Sequence, residues 1–223
     1  MNGHERTEVI LPTPQQLFTP GVVAILVSMF AGFLVANLAG GFSMDVLALN
    51  PQMVVRGRIW QLVTYWLVQG SPWGLVLNGL VVLTFGSAIE RQWRTSSMLT
   101  LWLVTCVVTG LIWVAACLIG GAPYIGAGAA SGSFGLIAAF GLVFRGQRYL
   151  FNFLTTIEAQ LLAWIMIGVG AVFCLFPAIN LIWVLGSLVA FVYIKLVWKG
   201  ASKTRASRSA GTSYRPSHFV DVD

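Results

Sequence analysis

The chain has 223 residues, of which 57% are hydrophobic and only 9% charged, with 13 Lys and Arg against 7 Asp and Glu for a net charge of +6. That balance excludes a large soluble domain, because apolar runs of membrane-spanning length take up most of the sequence. The expected class is an all-α, polytopic membrane protein.

Residues 1–19 read as a polar N-terminal tail. Six apolar segments come next, each near the roughly 20 residues that a helix needs to cross the hydrocarbon layer: about 20–42, 73–90, 97–120, 127–145, 157–177 and 179–198. The last two are separated by the turn around Pro177. The first is too long, and its flank too weakly basic, for a cleaved signal peptide, so it is expected as a retained helix. The membrane domain is thus 20–198, and the basic tail 199–223 is expected to be a disordered cytoplasmic segment touching anionic headgroups.

The connection between the first two segments, 43–72, is long and carries Trp60, Tyr65 and Trp66, with Trp73 just beyond it. Such residues favour the membrane interface. The stretch Gly57–Trp66 is therefore expected as a short helix half-sunk in the outer leaflet rather than a seventh span.

Orientation is set by the basic residues. Arg6, Arg91, Arg94, Arg145, Arg148, Lys195, Lys199, Lys203, Arg205, Arg208 and Arg215 fall on one side, Arg56 and Arg58 on the other. Eleven against two places both termini in the cytoplasm. The positive charge is then a topology signal, and no nucleic-acid partner is expected. A bacterial inner membrane is the expected location, with the bilayer itself as a partner.

Cys106, Cys117 and Cys174 lie inside apolar segments with no metal-ligand spacing, so no metal or cofactor is expected. Glu90 and Glu158 sit at segment ends beside basic residues, where a headgroup ion pair or a cap accounts for them.

One motif remains. Gly128, Ala129, Ala130, Ser131 and Gly132 open the fourth segment like a serine nucleophile site. A serine hydroxyl needs a base to take its proton. No apolar segment contains a histidine, since His4 and His218 lie in the tails.

From about residue 55 to 195 the chain resembles the rhomboid family of intramembrane serine proteases. Gly57 to Tyr65 is similar to the family's Gly, Trp, Arg loop segment, with Gln61 where arginine is common. Asn78 stands at the oxyanion-stabilising asparagine of the His, His, Asn pattern, and Gln69 and Gly74 stand at its two histidines. Glu90, Arg91, Gln92 and Trp93 resemble the Glu, Arg, x, Trp motif. Ser131 and Gly132 match the nucleophile motif with Ala129 in place of its first glycine. Trp183, Gly186 and Ala190 match the last span's His, x, x, Gly, x, x, x, Gly/Ala pattern, and Trp183 occupies the position of the general-base histidine. The family usually has one more residue between the serine and its Phe-Gly pair, so Ser133 competes for the role. Ser131 is preferred because it carries the following glycine.

Spacing adds an independent expectation. Asn78, Ser131 and Trp183 each lie about 4–6 residues below the outer boundary, so they share one depth of roughly 6–9 Å. Ala127, Ser131, Gly135 and Ala139 recur every four residues, as do Gly186 and Ala190. Such faces let two helices approach closely. An indole at position 183 donates one hydrogen bond and accepts none, so it cannot deprotonate Ser131. Lys195, twelve residues and roughly 18 Å below Trp183, is out of reach.

Each residue also has a structural reading. Ser131 could serve helix contact with its hydroxyl bonded one turn back, Asn78 an interhelical hydrogen bond, and Trp183 core packing. The resemblance implies a six-helix rhomboid-like bundle keeping the serine but not the histidine, proteolytically inactive or very weak, that binds transmembrane helices of client membrane proteins. A wet polar depression lined by Gln69, Asn78 and Ser131 is expected to meet them. The alternative is an active rhomboid endopeptidase with a non-standard base.

Overall fold

The computed structural model describes residues 17–38, 41–121, 124–146, 148–151, 155–173 and 182–196. In chain order the helices are α1 (Pro20–Leu38), α2 (Gly41–Leu47), α3 (Pro51–Val55), α4 (Gln61–Thr64), α5 (Pro72–Gln92), α6 (Thr95–Ile119), α7 (Ala130–Val143), α8 (Ala159–Phe173) and α9 (Ile182–Leu196). Each of the six expected apolar segments carries a helix. The architecture is that of an all-α membrane protein, with one small addition between α7 and α8. There, β1 (Arg148–Phe151) pairs antiparallel with β2 (Thr155–Glu158), Arg148 opposite Glu158.

Helices α1, α5 and α6 are long and apolar enough to cross a membrane. Helix α7 is shorter than its expected span 127–145: its 14 residues reach about 21 Å. The reason lies in the preceding segment. Gly126 and Leu49 exchange backbone hydrogen bonds of 2.8 and 2.9 Å, and Gly128 N–H donates to the Tyr65 carbonyl at 3.1 Å. Non-helical backbone is tolerated at membrane depth when protein satisfies it, and here the loop between α1 and α5 does so.

That loop is more deeply engaged than an interfacial helix would be, and it is not one helix over 57–66. Gly57 sits at φ +102, and the helical part is α4 followed by a 3-10 turn, Tyr65–Leu67. Gln61 and Tyr65 are fully buried. Gln61 receives Asn50 N–H at 3.1 Å and donates to the Asp45 carbonyl, while Thr64 Oγ1 donates to the Leu47 carbonyl at 2.9 Å. Ile59, Trp60 and Val63 stay exposed, as the interface requires.

Helix α5 starts on Ser71, whose hydroxyl accepts Gly74 N–H, with Pro72 in the first turn. It changes character midway through a π-helical turn, Val82–Gly86. The extra residue in such a turn rotates the second half of the helix relative to the first. Before the turn, Pro72–Val81 has no fully buried residue; after it, Ser87, Ala88, Ile89 and Glu90 are all buried.

Glu90 is a cap, but for another helix. Its carboxylate accepts Gly21 N–H at 2.8 Å and Val22 N–H at 3.0 Å at the start of α1, and the hydroxyls of Thr19 and Thr95 at 2.5 and 2.6 Å. A negative charge there complements the helix dipole and satisfies orphan N–H groups.

Small residues set the close approaches. A Cβ on Gly132 would stand 2.7 Å from the Trp102 ring, one on Gly135 2.7 Å from Thr105, and one on Gly186 would overlap the Ser131 carbonyl. Helix α7 is thereby pressed between α6 and α9. Of the expected face, Ser131 meets α9 while Gly135 meets α6. Arg6, His4, Cys174, Lys199 and the tail 199–223 lie outside the described residues.

Candidate functional site

The site begins with Gly128, whose φ of +108 favours glycine and turns the chain into α7 two residues later. Ser131 falls in the first turn of α7 and is fully buried. Its hydroxyl lies 2.7 Å from the Tyr65 hydroxyl. Tyr65 donates its own proton to the Cys106 carbonyl at 2.8 Å. A phenol has one proton to give, so Ser131 is the donor in the serine–tyrosine bond. Cys106 Sγ stands 3.7 Å from Ser131 Oγ, a weak secondary partner.

Burial pushes the Tyr65 hydroxyl well above its ordinary range. It stays protonated and cannot serve as a base at neutral pH. The ring fits because α6 carries Gly110 beneath it, where a Cβ would come 3.2 Å from Tyr65 Cε1.

Trp183, in the first turn of α9, is buried and lies on the other face of this tyrosine. Its ring stacks on Tyr65 with centroids 5.5 Å apart and on Trp113 with centroids 4.4 Å apart. Three aromatic rings from the loop, α9 and α6 thus fill the space beside Ser131. Gly126 passes under the stack, with its would-be Cβ 2.9 Å from Trp183 Cη2.

Asn78 pairs with the other serine. Its Oδ1 accepts Ser133 Oγ–H at 2.8 Å, and its Nδ2 reaches Gln69 Oε1 only at 3.5 Å. Gln69 in turn donates to the Trp66 carbonyl at 2.8 Å. Among the described residues no hydrogen bond joins Ser131 to Asn78 or to Trp183. Elements carrying Asn78, Ser131 and Trp183 do come together, through Ser133 in one case and Tyr65 in the other.

The polar depression expected around Gln69, Asn78 and Ser131 is closed: Ser131 is fully buried and Gln69 is 3% exposed, with only Asn78 half-buried. The reason is that Tyr65, Gln69 and Gly128 use the same polar groups to hold the loop down. Lys195 lies near the far end of α9 with its ammonium 4.2 Å over the Phe191 ring. Among the described residues no three His, Cys, Asp or Glu side chains stand together as metal ligands.

Tyr65 is the residue that sequence reasoning places nearby but gives no partner. The bare Gly110, one turn beyond Cys106 in a long apolar helix, is the available signal that a ring enters there.

The model of a family described as "Eukaryotic integral membrane protein (DUF1751)" matches residues 21–213, and the chain belongs to that family. No curated protein matches the chain. The description is of membrane proteins of eukaryotes, so it lends the expected bacterial inner membrane no support.

Proposed function

We propose that this member of the eukaryotic integral membrane family is a rhomboid-like protein that performs no proteolysis and binds transmembrane helices of client proteins. One observation carries the first half: the Ser131 hydroxyl is fully buried and donates to a tyrosine hydroxyl whose proton is already committed. Nucleophilic attack needs a base that takes the serine proton, and no neighbour of Ser131 is one. Trp183, at the position that the resemblance gives to histidine, has no acceptor nitrogen. Loss of such a base costs on the order of 10² to 10⁴ in rate.

The client half rests on α5. Its Pro72–Val81 stretch has no fully buried residue, and Trp73, Val76, Leu77 and Leu80 are exposed. Half-buried among them, Asn78 holds Ser133 with its oxygen and keeps its amide N–H only loosely engaged at 3.5 Å. In a bilayer a spare donor is offered to any passing backbone carbonyl, which favours helices that are loosely packed or partly unwound. Both termini lie in the cytoplasm on the charge asymmetry, which sets this half of α5 in the outer leaflet.

Photocrosslinking tests this reading. A benzophenone side chain at Leu77 should capture membrane proteins that one at Leu111, exposed on α6, does not. Equal capture at the two positions overturns client binding at this face.

A further inference from the structure

Hydroxyls inside apolar helices usually donate to a carbonyl one turn earlier, and this chain obeys the rule closely. Ser28 donates to the Ala24 carbonyl at 2.7 Å, Thr84 to Leu80 at 2.8 Å, Thr100 to Ser96 at 2.8 Å, and Thr105 to both Leu101 and Trp102. Thr109 is the exception. It is fully buried on α6, and its Oγ1 has no hydrogen-bond partner.

The cause is visible one turn back. The Cys106 carbonyl, three residues before Thr109, takes the Tyr65 hydroxyl at 2.8 Å besides its regular bond within α6. Both lone pairs are used, so Thr109 cannot turn onto it.

A second orphan lies beside the first. Trp113 Nε1 is also buried without a partner. Residues four apart share a helix face, with Cβ atoms about 6 Å apart, a span that a single bridging molecule covers with two hydrogen bonds. Trp113 cannot swing away to find another acceptor, because its ring is held by Trp183 at 4.4 Å and by Gly126, where even a Cβ would come within 3.1 Å of Nε1.

We propose that Thr109 Oγ1 and Trp113 Nε1 together bind one internal water molecule. The indole N–H donates to the water oxygen, and the threonine hydroxyl exchanges a second hydrogen bond with it. Polar groups enclosed in a protein recruit such waters, whereas apolar cavities stay dry. The ligand is water rather than a larger acceptor, since Thr109 is 0% exposed and Trp113 only 2%. The site is tied to Ser131 through Tyr65. Without the tyrosine hydroxyl, the Cys106 carbonyl becomes available to Thr109 and the water loses a partner.

The test is water–indole cross-relaxation in the full chain labelled with ¹⁵N-tryptophan, with Trp113→Phe assigning the signal. The parent should show a bound-water cross-peak at the Trp113 N–H. Thr109→Val should abolish it and lower the unfolding midpoint, Thr109→Ser should keep it, and Tyr65→Phe should weaken it. A parent without the cross-peak overturns the proposal, as does a cross-peak unchanged in Thr109→Val. So does a Thr109→Val protein at least as stable as the parent, because that is how removal of an unpaired buried hydroxyl behaves.

Discussion

Ser131 gives its hydrogen bond to Tyr65, 2.7 Å away, and Tyr65 passes its own to the Cys106 carbonyl. The tyrosine also accepts Gly128 N–H on its carbonyl at 3.1 Å. One residue of the loop thus holds the start of α7 by both its ends, and the serine at the nucleophile position acts as a structural tie.

Tyr65→Phe should therefore cost stability. It leaves the Ser131 hydroxyl and one lone pair of the Cys106 carbonyl without their partner while keeping the ring stack, a loss of about 1–3 kcal/mol. Reversible unfolding in mixed micelles measures it. A Tyr65→Phe protein as stable as the parent would show that the tie carries no energy.

Two glycine substitutions should move in opposite directions. Gly186→Ala places a methyl group against the Ser131 backbone, which cannot give way, at roughly 1–3 kcal/mol of overpacking. Gly168→Ala on α8 meets nothing within 4 Å and gains helix propensity, up to about 1 kcal/mol. Loss of stability at position 168 together with none at 186 would contradict the packing of α7 on α9.

Much of this arrangement is legible without coordinates. Hydropathy places a helix in each of the six apolar segments, because lipid demands a continuous apolar run, and the tryptophan-rich loop reads as partly helical and non-spanning. What hydropathy does not report is azimuth. Asn78 precedes a π-turn whose extra residue no apolar pattern reveals, and Ser131 and Ser133 differ by two residues, about 200° around a helix. The expected grouping of Asn78 with Ser131 is therefore replaced by Asn78 with Ser133 and Tyr65 with Ser131. Gly132 belongs to the nucleophile-like motif, yet it also has a packing reason in the Trp102 ring.

Double-mutant cycles should register that regrouping. Ser133→Ala and Asn78→Ala remove the two ends of one hydrogen bond and should couple by about 0.5–1.5 kcal/mol. Ser131→Ala and Asn78→Ala share no partner, and their effects should add. Coupling in the second cycle but not the first would restore Asn78 to Ser131.

Glu90→Gln should loosen the start of α1. One charged acceptor group serves two backbone N–H groups and two hydroxyls, and an amide offers a single oxygen and no charge, for a loss on the order of 1–3 kcal/mol. Amide exchange at Gly21 and Val22 should quicken ahead of exchange in the middle of α6. Unchanged protection at those two amides would mean that the cap is dispensable.

Trp183→His should be costly and unproductive on its own. It removes stacking on two rings, each worth about 0.5–1.5 kcal/mol, and leaves Ser131 bonded to Tyr65. Stability falls and no hydrolysis of a transmembrane substrate appears. Efficient cleavage by this variant would show that the aromatic stack had merely covered a working site.

The central claim, that Ser131 is a buried tie with no base, is tested most directly by labelling the purified parent protein with a fluorophosphonate probe beside Ser131→Ala. The account predicts no labelling that depends on Ser131. Labelling of the parent that disappears in Ser131→Ala would contradict it and would make Tyr65, the one oxygen at hydrogen-bond distance, the first group to test as the base.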